Sequence, residues 1–207
     1  AHPADEAGIN LIQEVLRMCR DQRFLGRIFF IENYSLAVSR VMARGCDVWL
    51  NTPRRPHEAS GTSGMKLPVN GGINLSISDG WWCEGYNRQN GWTIGPVVST
   101  ELPSSEQNDY ADAEALYSLL ENAVVPLYFE RNEADLPQEW INTSKRSLKS
   151  LTAMYSSNRM LTDYIRQFYL RAAQRRNMLR ENKWEACRTL ANWQNSLPSR
   201  FCTLKVD

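Results

Sequence analysis

Val48 to Ile77 reads VWLNTPRRPHEASGTSGMKLPVNGGINLSI, and the order of residue types in it sets the fold class. Val48-Trp49-Leu50 is a short β-rich apolar run, the pattern of a strand covered on both faces. Thr52-Pro53-Arg54-Arg55-Pro56 is a loop, because two prolines in five residues remove donors and fix φ. Small residues fill the turn that follows, and the pattern predicts a helix from about Thr62. Ile73-Asn74-Leu75-Ser76-Ile77 is another run of strand length. Strand, loop, helix and strand in that order form the repeating unit of a doubly wound α/β sheet.

Upstream, Ile9, Ile12, Val15, Leu16 and Cys19 give Gly8–Arg23 helical spacing. Arg27-Ile28-Phe29-Phe30-Ile31 reads as one more buried strand, and Leu36–Ala43 as a helix closed by Gly45. Beyond Asn108 the patterns are helical and nearly free of strands. They predict helices over 111–129, 138–155, 158–177 and 180–194, with Pro126 kinking or ending the first. The strand count is low for a self-sufficient sheet, which points to strands upstream of this stretch.

The 207 residues suffice for one sizeable core. A net charge of +1 argues against a nucleic-acid binder, which would carry a basic excess or stripe. The basic and aromatic residues of the last helices therefore read as a solvated face over an aromatic core. No apolar run reaches the length of a membrane span, and the first residues lack the pattern of a secretory signal. Cys19, Cys46, Cys83, Cys187 and Cys202 form no CxxC pair and have no His at ligand spacing. They read as reduced thiols of a cytoplasmic protein, with no zinc site.

The chemistry concentrates in Glu58-Ala59-Ser60-Gly61-Thr62-Ser63-Gly64-Met65-Lys66. Small residues let the backbone approach a ligand, and free N–H groups at a helix start attract an anion. A lysine one turn inside that helix can form an imine with an aldehyde whose phosphate rests on the loop. Partial burial and neighbouring cations would favour its nucleophilic form. A plain helix cap and a surface lysine fit the same residues. The GxxxxGK[ST] order of a P-loop is absent.

This stretch resembles the cofactor loop of the α-glucan phosphorylases, in the bacterial and archaeal version with Ser63-Gly64. The resemblance extends through Asp47–Pro56, Asn70–Trp82 with its tandem tryptophan, Glu84-Gly85-Tyr86 and Asn90–Gly95. Val125–Tyr128 and Tyr155–Met160 continue it, so it runs from His2 to about Ala173. It implies a two-domain GT-B fold, with two Rossmann-like domains facing across the active site. Residues 1–107 would be a partial Rossmann-like cofactor- and sugar-binding domain, incomplete at its N-terminus. Residues 108–207 would be a C-terminal helical segment packing back on the two-domain fold.

The resemblance implies pyridoxal 5'-phosphate as cofactor, held by Lys66 through a Schiff base. Thr62 and Ser63 would bind its phosphate, and Tyr34 would line its pocket. Glu58 would accept hydrogen bonds from the hydroxyls of the glucosyl unit at the scissile bond. The backbone N–H groups of Ser60 and Gly61 would face that sugar. The activity implied is reversible phosphorolysis of α-1,4-glucan by inorganic phosphate to glucose 1-phosphate. The basic segment that binds substrate phosphate, and the domain forming the other cleft wall, belong upstream of this stretch, so the chain alone is expected to be inactive. Its partners would be that N-terminal part and, as in many family members, a second copy in a homo-oligomer. Two other readings stand beside this one: a nucleotide-sugar glycosyltransferase of GT-B fold, and a non-catalytic glucan-binding module.

Overall fold

The computed structural model describes residues 3–96 and 105–201, and the chain divides into two units, Ala1–Asp47 and Val48–Asp207. His2 and Cys202 lie outside the described residues. In the first unit, α1 (Glu6–Arg20) starts at Asp5, whose carboxylate accepts the Gly8 N–H at 2.9 Å. α2 (Leu36–Gly45) starts at Ser35, whose hydroxyl accepts the Val38 N–H at 3.3 Å. Each such cap stabilises its helix by about 1 kcal/mol.

The strand expected at Arg27–Ile31 does not form. Its residue types suit a buried strand, but a strand also needs a neighbour for its N–H and C=O groups. No described segment pairs with it, and Phe29, Phe30 and Ile31 are exposed.

The second unit is built on a three-stranded parallel sheet in the order β1 (Val48–Asn51), β2 (Ile73–Ile77), β3 (Gly91–Ile94). Val48 pairs with Ile73 and Asn51 with Ser76; Asn74 pairs with Gly91 and Ile77 with Ile94. The chain thus has an α/β fold with a small parallel sheet. A four-residue helix, α3 (Trp82–Gly85), precedes β3. Neither α3 nor β3 has enough apolar periodicity to be read from sequence.

Helices follow the sheet. α4 (Ser105–Leu119) runs into a π-helical turn over Leu120–Val124 and then α5 (Val125–Phe129). Pro126 explains the wide turn: it has no N–H for the carbonyl four residues back, and the Val125 N–H reaches five residues back to Leu120. The single helix expected over 111–129 is therefore continuous but locally unwound. α6 (Gln138–Leu151) is tied to the sheet side by the Ser144 hydroxyl, which donates to the Gly71 carbonyl at 2.6 Å. α7 (Ser157–Tyr164) continues through a second π-helical turn into α8 (Leu170–Phe201). α8 breaks at Glu181–Trp184, where Asn182, Lys183 and Trp184 all have positive φ. The sequence pattern puts this break a few residues earlier, between 177 and 180.

β2 is buried along its whole length. Ile73, Leu75 and Ile77 join Ile94, Val124 and Trp140 in one core, with Trp92, Leu116 and Tyr128 packed against it. Sheet and following helices thus share a core, and the position between residues 107 and 108 lies inside this unit. A second cluster holds Trp81, Trp82 and Leu151, with Met65, Tyr86 and Tyr155 at its edge. No described helix is long and apolar enough to cross a membrane.

Two predictions follow from this packing. Leu75 is fully buried, so Leu75→Ala is expected to cost about 2–5 kcal/mol in urea unfolding. Burial raises the phenol pKa of Tyr86, against a lowering by Arg88; burial and then the Glu84 charge raise that of Tyr155. Their folded values lie above the unfolded value of about 10, so stability is expected to fall as pH climbs past that point. The double variant Tyr86→Phe, Tyr155→Phe should show a flatter decline in unfolding midpoint between pH 9 and 11 (roughly the phenol range).

Candidate active site

Parallel strands place their carboxyl ends on one side of the sheet, and open α/β sheets bind ligands outside that edge. There the loop leaving β1 meets the turn leaving β2. The Asp79 carboxylate accepts the Glu58 N–H at 2.9 Å and, through its other oxygen, the Gly80 N–H at 2.9 Å. The Trp81 N–H donates to the Ser60 carbonyl at 2.8 Å. Gly80 has φ +53°, and a Cβ on it would stand 2.6 Å from the Ser60 oxygen. Only glycine allows so close an approach of the two backbones.

Gly61, with φ +69°, swings the chain into a 3₁₀ turn over Thr62–Lys66. The Glu58 carboxylate folds over it, in space that a Cβ at Gly61 would occupy. From beneath, the Asn74 side chain of β2 donates to the Gly64 carbonyl at 3.2 Å. Gly64 and Leu67 are buried and Met65 packs against the tryptophan cluster. Ser60, Thr62, Ser63 and Lys66 are left exposed, with Glu58 and Gly61 half-buried. The turn thus presents a primary amine, hydroxyls and a carboxylate on a buried support.

The α-helix expected from Thr62 is replaced by two 3₁₀ turns, Thr62–Lys66 and Pro68–Asn70. Pro68 has no N–H to give the Gly64 carbonyl, which takes the Leu67 N–H at 3.3 Å and the Asn74 amide instead. Lys66 therefore ends a short turn rather than standing inside an α-helix, and it is exposed where partial burial was expected. A five-residue 3₁₀ turn carries little of a helix macrodipole, so the anion-binding capacity expected of a helix start rests on the backbone and hydroxyl donors of Thr62 and Ser63, which no side-chain cap occupies.

Glu58, Ser60, Gly61, Thr62, Ser63 and Lys66 come together on one loop. Tyr34 belongs to the first unit, where it is 59% exposed and its hydroxyl donates to Ser39 at 2.7 Å. Trp81 and Trp82 are buried and meet edge to face at 5.2 Å, so they are core residues and not sugar platforms. His57 is exposed beside the loop. Among the described residues, no three His, Cys, Asp or Glu side chains could hold a metal ion.

Sequence reasoning passed over Asp79, Gly80 and Asn74. An Asp-Gly pair after a strand signals a turn, but nothing local ties it to a residue 21 positions away. By sequence Arg54 and Arg55 suit phosphate ligands as well as loop charges; in the structure they brace the loop against α4. Arg54 pairs with Asp109 in solvent, whereas Arg55 pairs with Asp112 at 2.5 Å with side-chain exposures of 4% and 15%. Arg55 also donates to the Ile94 carbonyl at the end of β3.

Residues 4–89 match the carbohydrate phosphorylase family. The glycogen phosphorylase of Aquifex aeolicus is 49% identical over 169 residues, 82% of this chain and 24% of that protein. The maltodextrin phosphorylase of Thermococcus litoralis is 45% identical over 207 residues, all of this chain and 24% of that protein. The glycogen phosphorylase of Mycobacterium bovis is 42% identical over 206 residues, 100% of this chain and 24% of that protein. The chain thus spans about a quarter of the length of these relatives, and the likeness continues through the tail beyond Ala173.

The two loop arginines should separate in a stability test. Arg55→Ala leaves Asp112 in a largely buried site without its partner and is expected to cost about 3–5 kcal/mol. Arg54→Ala opens a solvated pair and should cost no more than about 1 kcal/mol. Urea midpoints of the two variants measure the difference.

Proposed function

The chain belongs to the carbohydrate phosphorylase family, and from that premise we propose that it is the C-terminal, cofactor-bearing part of an α-glucan phosphorylase. The reaction is reversible phosphorolysis of α-1,4-glucan to glucose 1-phosphate, in the cytoplasm. The proposed fold of the whole enzyme is GT-B. This chain supplies most of one Rossmann-like domain and the helices after it, and it is inactive alone. The whole enzyme is proposed to work as a homo-oligomer.

The observation that carries this reading is the exposed turn Thr62–Lys66, set on buried residues at the carboxyl edge of the sheet. Its donor set fits pyridoxal 5'-phosphate. Lys66 offers a primary amine for an aldehyde, and Thr62 and Ser63 offer hydroxyls and N–H groups for a phosphate. By the family resemblance, Tyr34 is proposed as a further cofactor-binding residue. When bound, the cofactor supplies a phosphate that works beside the substrate phosphate as an acid–base group.

The chain's own residues bind and orient. Lys66 would anchor the cofactor, and Thr62 and Ser63 would hold its phosphate. Glu58 projects its carboxylate over Gly61 and accepts hydrogen bonds from the hydroxyls of the glucosyl unit at the scissile bond. Ser60 and Gly61 offer backbone donors to the same sugar. Binding strengthened as the sugar distorts would lower the barrier to cleavage. Hydrolysis by a carboxylate pair is not part of this reading. Such a pair needs a second free carboxylate, and Asp79 is occupied by two backbone N–H groups.

Reductive trapping tests the assignment. The chain is incubated with pyridoxal 5'-phosphate, reduced with borohydride and mapped by peptide mass spectrometry. A dominant adduct on Lys66, lost in Lys66→Ala, is expected. Labelling scattered over surface lysines, with a nucleotide diphosphate sugar bound instead, would favour the glycosyltransferase reading.

A further inference from the structure

Glu58, the residue proposed to hold the sugar, lies on a loop with no regular structure from Thr52 to Gly61. Its own backbone N–H is held by one group, the Asp79 carboxylate at 2.9 Å. Asp79 is in turn fixed from two directions. Its N–H donates to the Ile77 carbonyl at 2.9 Å, so it stands two residues beyond the end of the most buried strand. Its second carboxylate oxygen takes the Gly80 N–H. Gly80 brings the turn within reach of the Glu58 and Ser60 carbonyls, and the Trp81 N–H closes a second bond to Ser60.

We propose that Asp79 is a positioning residue of the sugar site, setting the backbone of Glu58 and Ser60, and through it the Glu58 carboxylate, against the rigid end of β2. The assignment rests on the phosphorylase reading above. Its physical basis is that an ionised carboxylate accepting two backbone N–H groups makes short, charge-assisted bonds of fixed direction. A small misplacement of a substrate-orienting group is costly to rate even when the group itself is intact. Asp79 touches no substrate in this scheme. Its effect on the reaction passes through Glu58.

Two measurements test this. In the 207-residue chain, hydrogen exchange followed by NMR should show the Glu58 amide at least 10-fold faster in Asp79→Ala, with the β2 amides of Ile73–Ile77 unchanged. Asp79→Asn, which keeps a carbonyl acceptor, should restore part of the protection. In the complete phosphorylase polypeptide carrying this stretch, Asp79→Ala should lower kcat/KM for glucan phosphorolysis at least 10-fold, with the reduced adduct on Lys66 undiminished. In a Glu58→Gln background the same change should cost less than 3-fold, because residues acting as one unit are not additive. An equal loss in both backgrounds, or an unchanged Glu58 amide, overturns the proposal. A wild-type polypeptide that turns over no glucan refutes the phosphorylase reading and the kinetic role with it. The exchange result still decides whether the carboxylate holds the loop.

Discussion

The strand Ile73–Ile77 is hydrogen-bonded to a parallel neighbour along each edge and buried on each face. Everything described around the candidate site hangs from it. Its alternate residues Ile73, Leu75 and Ile77 face the helical core, and burial of each such side chain contributes about 1.5–3 kcal/mol. The residues between them, Asn74 and Ser76, are buried and polar, so they must be bonded. Asn74 meets that requirement by holding the Gly64 carbonyl, and Ser76 by donating to the Ile77 carbonyl. A strand interior and a loop conformation are therefore settled by the same hydrogen-bonding constraint.

That constraint separates support from chemistry. Gly64 and Leu67 are buried, with Gly64 bonded to the strand and half-buried Met65 packed against the tryptophan cluster. The exposed members carry the hydroxyls and the amine. Two further braces hold the loop: Asp79 below Glu58, and the Arg55–Asp112 pair reaching to α4 and the end of β3. Each brace uses a charged group whose partner is supplied by a different element, so the loop keeps its shape only when the sheet and α4 are in place.

Much of the fold was legible along the chain. Val48–Leu50 and Ile73–Ile77 were legible as strands because β-rich apolar runs bounded by turn residues have few alternatives. The long helices showed in their periodicity. Gly91–Ile94 was not legible, because a glycine and an exposed-looking Trp-Thr pair give no alternation; its neighbour β2 makes it a strand. Arg27–Ile31 failed in the opposite sense, with the right residue types and no neighbour among the described residues. The helix expected at Thr62 failed for a local reason that was available in the sequence, the proline at position 68.

The sequence by itself determined the parallel α/β character and the family, and it singled out Glu58 to Lys66 as the candidate site. The α/β character and the loop follow from residue order, since small residues and prolines at fixed spacing restrict the backbone wherever they occur, and the family follows from the resemblance that the same stretch carries. The tertiary structure alone decided which charges serve as braces. Asp79 lies 21 residues from Glu58, and Arg55 lies 57 residues from Asp112. A carboxylate or guanidinium has no local signature of its partner, because the pairing depends on which strand ends the fold brings side by side.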